Sequence, residues 1–280
     1  MPSLTGVCSA LLRRLGYQIT RIAPSHTPLE LSGLTYEHFL QIWLMGQNLS
    51  DFFFVQIGAH NGITNDSLYS CVRSLGLRGL LIEPQPAPFQ ALQQNYAGCD
   101  GLILENVAIG HHTGSQPLYT IRRDLDFLQY ANQAASFDRN HVQRLLTAHV
   151  NGGMSRSVRR RMRDLAVREE DCIEAQEVRT YRFEELLQKH RISGYDLLQI
   201  DTEGFDYEVI RLAAIGRYKP SMINYEHIHL PPATQKECRT YLGKLGYQMF
   251  LHGTDTTAFR PPARGFVDDG SLTPTMEKRS

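Results

Sequence analysis

The chain has 280 residues, 42% of them hydrophobic and 21% charged, and its 29 basic side chains balance 29 acidic ones. A length just under twice the ~150 residues of an average domain fits one enlarged domain or two small ones, and a core of that size needs no disulfide or metal staple. Neutrality and ordinary hydrophobicity argue against a nucleic-acid binder, a polybasic membrane protein and a disordered chain, so that only a local charge cluster could make such a case.

In chain order, Leu4, Val7, Leu11 and Leu15 form one stripe of a short amphipathic helix, and Arg13 and Arg14 cut the apolar run too short for a signal peptide. No apolar stretch approaches the ~18 residues of a membrane span. Residues 1–50 read as a helical extension that packs on a main domain. The five cysteines, Cys8, Cys71, Cys99, Cys172 and Cys238, lie at least 28 residues apart. That scatter suits neither a zinc site nor a secreted disulfide framework and points to reduced thiols in the cytoplasm.

From residue 50 onward, the apolar runs 52–57 (FFFVQI), 79–82 (GLLI), 102–109 (LILENVAI), 195–200 (YDLLQI) and 221–225 (SMINY) read as strands buried on both faces. Segments 65–75, 86–96, 205–215 and 234–245 are long enough for helices, and Pro86 and Pro88 suit a first turn. This alternation predicts a doubly wound α/β sheet over residues 51–260. It is interrupted at 122–177, an insert poor in strand signals and a possible substrate lid. There Met154, Val158, Met162 and Leu165 share a helical stripe. Around it Arg156, Arg159, Arg160, Arg161, Arg163 and Arg168 with Asp164 carry +5, and Glu169, Glu170, Asp171, Glu174 and Glu177 then carry −5. Two readings stand: a solvated arginine face, or a patch that receives an anionic substrate such as a phosphorylated or acidic glycan. Residues 261–280 read as a poorly ordered tail.

The first run feeds into Gly58-Ala59-His60-Asn61-Gly62, and 21 residues beyond Gly62 the second run ends in Glu83. A glycine turn after the first strand lets a ligand approach the backbone, and an acid at the tip of the next strand can accept both ribose hydroxyls. The GxxxG spacing lacks the massed N–H groups that a pyrophosphate needs, so it favours S-adenosylmethionine over NAD or FAD. The fourth run ends in Asp201-Thr202-Glu203-Gly204 and the fifth in Glu226-His227-Ile228-His229. Both fall at the carboxyl edge of the sheet, where doubly wound proteins bind ligands. Asp201 and Glu203 equally fit a cap and a first-turn acid of the next helix. If the strand continues, His227 and His229 point to one side as a base or metal pair, although each also fits a hydrogen-bonded loop histidine.

With VQIGAHNG at 55–62, GLLIEPQP at 79–86, Asn95-Tyr96, ENVAIG at 105–110, Ala135-Ser136-Phe137, VRTYRFEELL at 178–187, LLQIDTEGFDYEVI at 197–210 and KPSMINYEHIHL at 219–230, in that order, the chain resembles the FkbM family of S-adenosylmethionine-dependent methyltransferases over 51–259. The resemblance implies a Rossmann-like class I methyltransferase sheet of seven strands, the last antiparallel, and O-methylation of a hydroxyl on a sugar, glycolipid or polyketide. It implies that Gly58, Ala59, Asn61 and Gly62 wrap the methionine part of the cofactor, with Gln56, His60, Pro84 and Gln85 beside them. Glu83 would hold the ribose, Asn106, Val107 and Ala108 would flank the adenine, and Asp201 would face the methyl group. Two positions depart from the family pattern. Gln56 stands where an acid is expected and offers no charge to the cofactor's ammonium group, and Gln199 replaces a lysine, which leaves Asp201 more basic.

Methyl transfer needs an acceptor oxygen held near the methyl carbon and relieved of its proton. Asp201 or His227 is the expected base, with Glu203 and Glu226 on the acceptor's hydroxyls. In a variant, Asp201, Glu203, Glu226 and His227 hold a divalent metal. The expected acceptor is a small molecule or glycan, not a nucleic acid. Two other classes stay open: a cofactor-binding pseudoenzyme, motivated by the two glutamines, and an NAD-linked oxidoreductase.

Overall fold

A computed structural model of the chain describes residues 29–30, 35–128, 134–152 and 155–260. The stripe of Leu4, Val7, Leu11 and Leu15, together with Cys8, Met154 and the 261–280 tail, lies outside the described residues. Among those described, no helix is long and apolar enough to cross a membrane.

After the two-residue strand β1 (Leu29–Glu30), helix α1 (Tyr36–Leu44) begins at Thr35, whose side chain accepts from the His38 N–H. Strand β2 (Phe53–Ile57) leads through helix α2 (Ser67–Leu75) to β3 (Arg78–Ile82), and helix α3 (Pro86–Asn95) carries the chain to β4 (Leu102–Glu105). Asp66 caps α2 by accepting from the Leu68 N–H, and Gly76 ends it in the left-handed region. Pro86 occupies the first turn of α3, where its missing N–H costs nothing.

The predicted run 102–109 divides at Asn106. Its second half, β5 (Ala108–Ile109), leaves for a separate four-stranded sheet with β6 (Gly114–Ile121), β7 (Ala135–Ser136) and β8 (Ile173–Tyr181), in the order β5-β8-β6-β7. The departure from the main sheet thus begins before residue 122 and ends after 177. Glu174 and Glu177, which read as part of an acid run, are exposed positions of β8. Between β7 and β8 lie α4 (Arg139–Asn151) and α5 (Ser155–Asp164), packed through Val142, Leu146, Val150, Val158 and Met162 onto Ile121. The arginines of α5 are exposed, as the solvated-face reading expects, whereas Leu165 falls outside the stripe at 51% exposure. The following acids turn elsewhere: Glu170 and Asp171 pair with Arg168 at 2.5 and 2.8 Å, and Glu169 accepts from the Thr147 hydroxyl at 2.7 Å.

Helix α6 (Phe183–Lys189) returns the chain to the main sheet, followed by β9 (Leu197–Ile200), α7 (Asp206–Leu212), α8 (Ile215–Tyr218) and β10 (Met222–Glu226). Helix α9 (Pro232–Lys244) and strands β11 (Gln248–His252) and β12 (Asp255–Phe259) complete it. The predicted helix 205–215 is broken at Ala214, which takes a left-handed φ of +48°. The main sheet runs β1-β11-β12-β10-β9-β2-β3-β4, with β12 antiparallel between β10 and β11. This is the doubly wound class I arrangement that the resemblance implies, with β1 added as an eighth strand beside β11.

Side chains alternate between two covered faces, which is why the strand sequences read as nearly continuous apolar runs. Val55, Ile57, Leu198 and Ile200 pack against Phe183, Val209 and Leu242, whereas Phe54, Leu81 and Leu197 pack against Leu40, Leu68 and Leu92. On the second face a polar row crosses the sheet in register, Gln56–Gln199–Asn224–Thr257. Burial there demands partners. The Gln56 amide donates to Asp66 at 3.1 Å, the Tyr36 hydroxyl donates to Gln199 at 2.8 Å, and the Thr257 hydroxyl donates to Asn224 at 2.7 Å.

Candidate active site

The carboxyl ends of β2, β3 and β9 meet around a cleft of about 820 Å³, open space at its mouth included. Gly58 begins the turn after β2 at φ +83°, and a Cβ there would lie 1.7 Å from the Asp201 carbonyl oxygen. Only glycine lets this turn pass so close to the end of β9. His60 also takes a left-handed φ, +47°, and its N–H donates to Glu83 Oε2 at 2.9 Å. The Gln85 N–H donates to Glu83 Oε1 at 2.8 Å. Each oxygen of Glu83 therefore carries one bond and keeps accepting capacity for a ligand. Burial raises the Glu83 carboxyl to about 7, against the pull of those two donors and of Arg123. Arg123 reaches over from the far side to donate to Gln85 Oε1 at 3.0 Å.

Of the residues implied for cofactor binding, Gly58, His60, Glu83, Pro84, Gln85, Val107, Ala108 and Asp201 line the cleft. The others stand behind its wall. Ala59 is 3% exposed, and Gly62 takes φ +73° with the Tyr96 ring against it. Asn61 Oδ1 accepts from the Ile63 and Thr64 N–H groups, a local turn. The Asn106 amide donates to the carbonyls of Glu83 and Pro84 at 2.8 and 3.0 Å and so fixes the loop that carries Glu83. Gln56, 5% exposed, turns its amide to Asp66. The second sheet supplies an unforeseen wall through Leu118, Ala135, Ser136 and Phe137, with Phe205 beside them. Ala135-Ser136-Phe137 belongs to the resemblance, but a two-residue strand offers no periodicity from which its place could be read.

Asp201 and Glu203 also line the cleft, and the carboxyl groups of Asp206 and Glu226 lie close enough to interact with them. Asp201 opens to the cleft on one side while protein encloses the rest of it. That loss of water, followed by the charges of Glu203, Asp255, Glu83 and Asp66, raises it to about 7. Burial, then Asp206, raises Glu203 to about 7 as well. Glu203 sits at φ +52° and is followed by Gly204 at φ +97°, where the His141 ring leaves no room for a Cβ. Asp206 is fully buried. It accepts from the Thr202 hydroxyl at 3.0 Å and from the Gly204 and Glu226 N–H groups at 3.2 Å, so it buckles the ends of β9 and β10 together. Burial, reinforced by Asp201, Glu203, Asp206 and Asp255, drives Glu226 up to about 10.

The two histidines do not share a side. Strand β10 ends at Glu226, and residues 227–230 form a turn in which the Leu230 N–H donates to the His227 carbonyl at 3.0 Å. His227 turns away to the β12 side, its Nδ1 3.1 Å from the Thr256 hydroxyl, and lines neither cavity described here. His229 faces the carboxylates instead, its Nε2 3.3 Å from Glu203 and 3.6 Å from Glu226. The expected set of Asp201, Glu203, Glu226 and His227 is therefore not brought together. Among the described residues, the possible ligand atoms lying within 4.8 Å of one another belong to Glu203, Glu226 and His229. A second, open groove of about 1300 Å³ adjoins the cleft at Ser136, Phe137 and Phe205 and runs between α4 and the loop after β10.

The family model of the FkbM methyltransferase domain matches residues 56–249. Among curated proteins no match is found. Similar solved structures include a methyltransferase FkbM from Methylobacillus flagellatus KT, 14% identical with a TM-score of 0.43, aligned over 74% of this chain and 43% of that one. The METTL16 methyltransferase domain is 12% identical with a TM-score of 0.42, over 92% and 79% of the two chains. An O-methyltransferase from Bacillus cereus, in complex with S-adenosylhomocysteine, is 10% identical with a TM-score of 0.37, over 93% and 92%. The chain thus spans less than half the length of the Methylobacillus protein.

Proposed function

The chain belongs to the FkbM methyltransferase domain family, and from that premise we propose that it is an S-adenosylmethionine-dependent O-methyltransferase acting on a hydroxyl of a sugar, glycolipid or related natural product. The observation that carries the reading is the junction of Gly58, Glu83 and Asp201 around one cleft at the carboxyl edge of the sheet. The turn that Gly58 brings against β9 lines the space for the methionine part of the cofactor, Glu83 keeps accepting capacity for the ribose hydroxyls, and Val107 and Ala108 offer an apolar wall for the adenine. When bound, the cofactor supplies an electrophilic methyl group. The chain's own tasks are to hold the acceptor oxygen in place and to take its proton.

Asp201 is the base in this reading. It opens to the cleft, and a carboxyl raised to about 7 is ionised often enough at neutral pH and basic enough to accept a proton. Glu203 orients the acceptor's hydroxyls by hydrogen bonds. Calorimetric titration with S-adenosylhomocysteine and NAD, followed by turnover on a panel of glycosides, tests the reading. S-adenosylhomocysteine is expected to bind, and Asp201→Asn to keep that binding while losing about 10²–10⁴-fold of turnover. NAD binding in its place, or full turnover by Asp201→Asn, overturns it.

A second reading adds a divalent cation held by Glu203, Glu226 and His229. The donor set favours it: two carboxylates and an imidazole converge, and the buried Oε2 of Glu226 has no hydrogen-bond partner. A cation there would acidify and orient the acceptor hydroxyl. In a titration of Mn²⁺ followed by electron paramagnetic resonance, the free-ion signal is expected to be lost with the native chain and kept with His229→Ala. Equal signals from the two chains, or turnover that survives exhaustive chelation, would remove the cation from the reading.

A further inference from the structure

Apart from His229, the groove beside the cleft has no part in the chemistry described so far. Helix α4 lays one face along it, with His141, Leu145 and Ala148 recurring one helical turn apart. Seven residues of helical rise separate His141 from Ala148, about 10 Å of groove. Its chemistry changes along that length. At the near end the His141 ring packs on Gly204, and the buried His141 Nε2 has no hydrogen-bond partner. His229, which lines the same end, stands beside Glu203 and the equally unpartnered Oε2 of Glu226. Buried polar atoms of this kind call for a donor or acceptor from outside. Beyond His141 the helix contributes Leu145 and Ala148, and the loop after β10 contributes the apolar Pro231 and Ile228, Ile228 being 52% exposed. The groove's cation, Arg144, is 66% exposed and lies 3.7 Å from Asp138, so nothing on the groove floor is set to receive an anion.

We propose that this groove is the acceptor channel, and that it takes a molecule whose hydroxylated head lies beside Asp201 and His229 and whose apolar chain runs along α4 between Ala148 and Ile228. The proposal rests on the methyltransferase reading and deepens it by stating the acceptor's polarity and direction of entry. Two observations fix the occupant. The groove shares Ser136, Phe137 and Phe205 with the cleft, so its inner end abuts the reacting edge. Its inner end also holds the imidazoles of His141 and His229, with the unpartnered Glu226 Oε2 beside His229, whereas Ala148 and Ile228 offer exposed hydrocarbon. A free sugar would satisfy only the first half, and a plain hydrocarbon only the second.

Octyl β-D-glucoside, kept below its micelle concentration, and methyl β-D-glucoside are the probes, titrated calorimetrically into the full chain with and without S-adenosylhomocysteine. The octyl compound is expected to bind at least about tenfold more tightly, because several methylenes leave water. Ala148→Glu and Ile228→Glu, both at exposed positions, are each expected to bring the octyl compound down to the methyl compound's affinity, with S-adenosylhomocysteine binding and thermal midpoint unchanged. Equal affinity of the two glucosides for the native chain, or octyl binding untouched in both variants, overturns the channel. Failure of the native chain to bind S-adenosylhomocysteine strikes the methyltransferase reading instead and leaves the glucoside comparison to be judged alone.

Discussion

Gly58 sets the distance between the glycine turn after β2 and the end of β9. Gly58→Ala meets two obstacles at once, a φ of +83° and a carbonyl oxygen 1.7 Å from the new methyl group, so the backbone itself has to move. Gly98 is the natural control: its φ is +79°, but open space surrounds it. Gly98→Ala is expected to cost about 1–2 kcal/mol from left-handed strain alone. Gly58→Ala is expected to cost more than that in urea denaturation and to weaken S-adenosylhomocysteine binding at least about tenfold. Similar losses for the two variants would mean that the close approach to Asp201 carries no weight. At Glu83, Glu83→Gln keeps the shape but puts an NH₂ opposite the N–H of His60 or Gln85, leaving one buried donor unpaired. That variant is expected to lose cofactor affinity even at pH values where Glu83 is protonated, because the fault lies in hydrogen bonding and not in charge; calorimetry at about pH 6 and pH 8 would reveal it. Gly58, Glu83 and Asp201 were legible because the sequence places each at the end of an apolar run. His229 was not separable from His227, since the side each takes depends on the strand stopping at Glu226 and nothing in the residue types announces that stop.

At the scale of elements, α2 and β2 share a residue that serves both. Asp66 caps the helix through Leu68 and accepts from Gln56 on the strand, while burial raises its carboxyl to about 6. Asp66→Ala removes the cap and also leaves the Gln56 amide unpaired. The expected loss is about 2 kcal/mol, larger than a cap alone, measured by chemical denaturation. Asp66→Asn keeps the capping oxygen and is expected to lose less. Within the main sheet, the five strands from apolar runs and the helices between them were readable because burial on both faces writes a continuous signal. Strand β8 was not, since most of its first five side chains are exposed and two of them are glutamates. The run 102–109 looked single because nothing apolar is lost at Asn106; the chain leaves the sheet there so that the Asn106 amide can hold the loop bearing Glu83. β11 and β12 came only from the family likeness, their polar positions being spent on the Asn224–Thr257 row.

For the whole molecule, zero net charge hides two separate arrangements. The arginines of α5 face solvent, and the acids that follow them in sequence satisfy other partners. A second group of acids meets at the cleft and just behind it, where Glu83, Asp201, Glu203 and Asp206 are raised to about 7 and Glu226 to about 10. A carboxyl whose pKa rises on folding holds a proton that the unfolded chain, titrating near 4, has already released. Its contribution to stability is complete below about pH 4 and is lost as pH climbs through the folded value. Histidines lowered by burial, His60, His141, His227 and His229 among them, act oppositely, but only below their unfolded value of about 6.5. Between about pH 7 and pH 9 the acids act without that opposition, joined toward the upper end by the thiols of Cys71, Cys172 and Cys238 that burial raises, so the thermal midpoint of the ligand-free chain is expected to fall across that window. A level or rising midpoint would show that the cluster is neutralised in some other way. Turnover is expected to run the other way, climbing through about pH 7 as Asp201 ionises.

The antiparallel strand β12 lies between β10 and β11, so the chain must first lay β11 beyond a gap and then turn back to fill it. The loop that carries His229 hangs from that last strand's entry, where the His227 and Ile228 N–H groups donate to the Thr254 carbonyl at 2.9 and 3.2 Å. During synthesis the glycine turn and Glu83 leave the ribosome some 190 and 170 residues ahead of this anchor. A growing chain therefore presents the glycine turn and Glu83 long before the strand that anchors the His229 loop exists. The loop that carries His229 has its backbone anchor only once the final strand lies in the middle of the sheet.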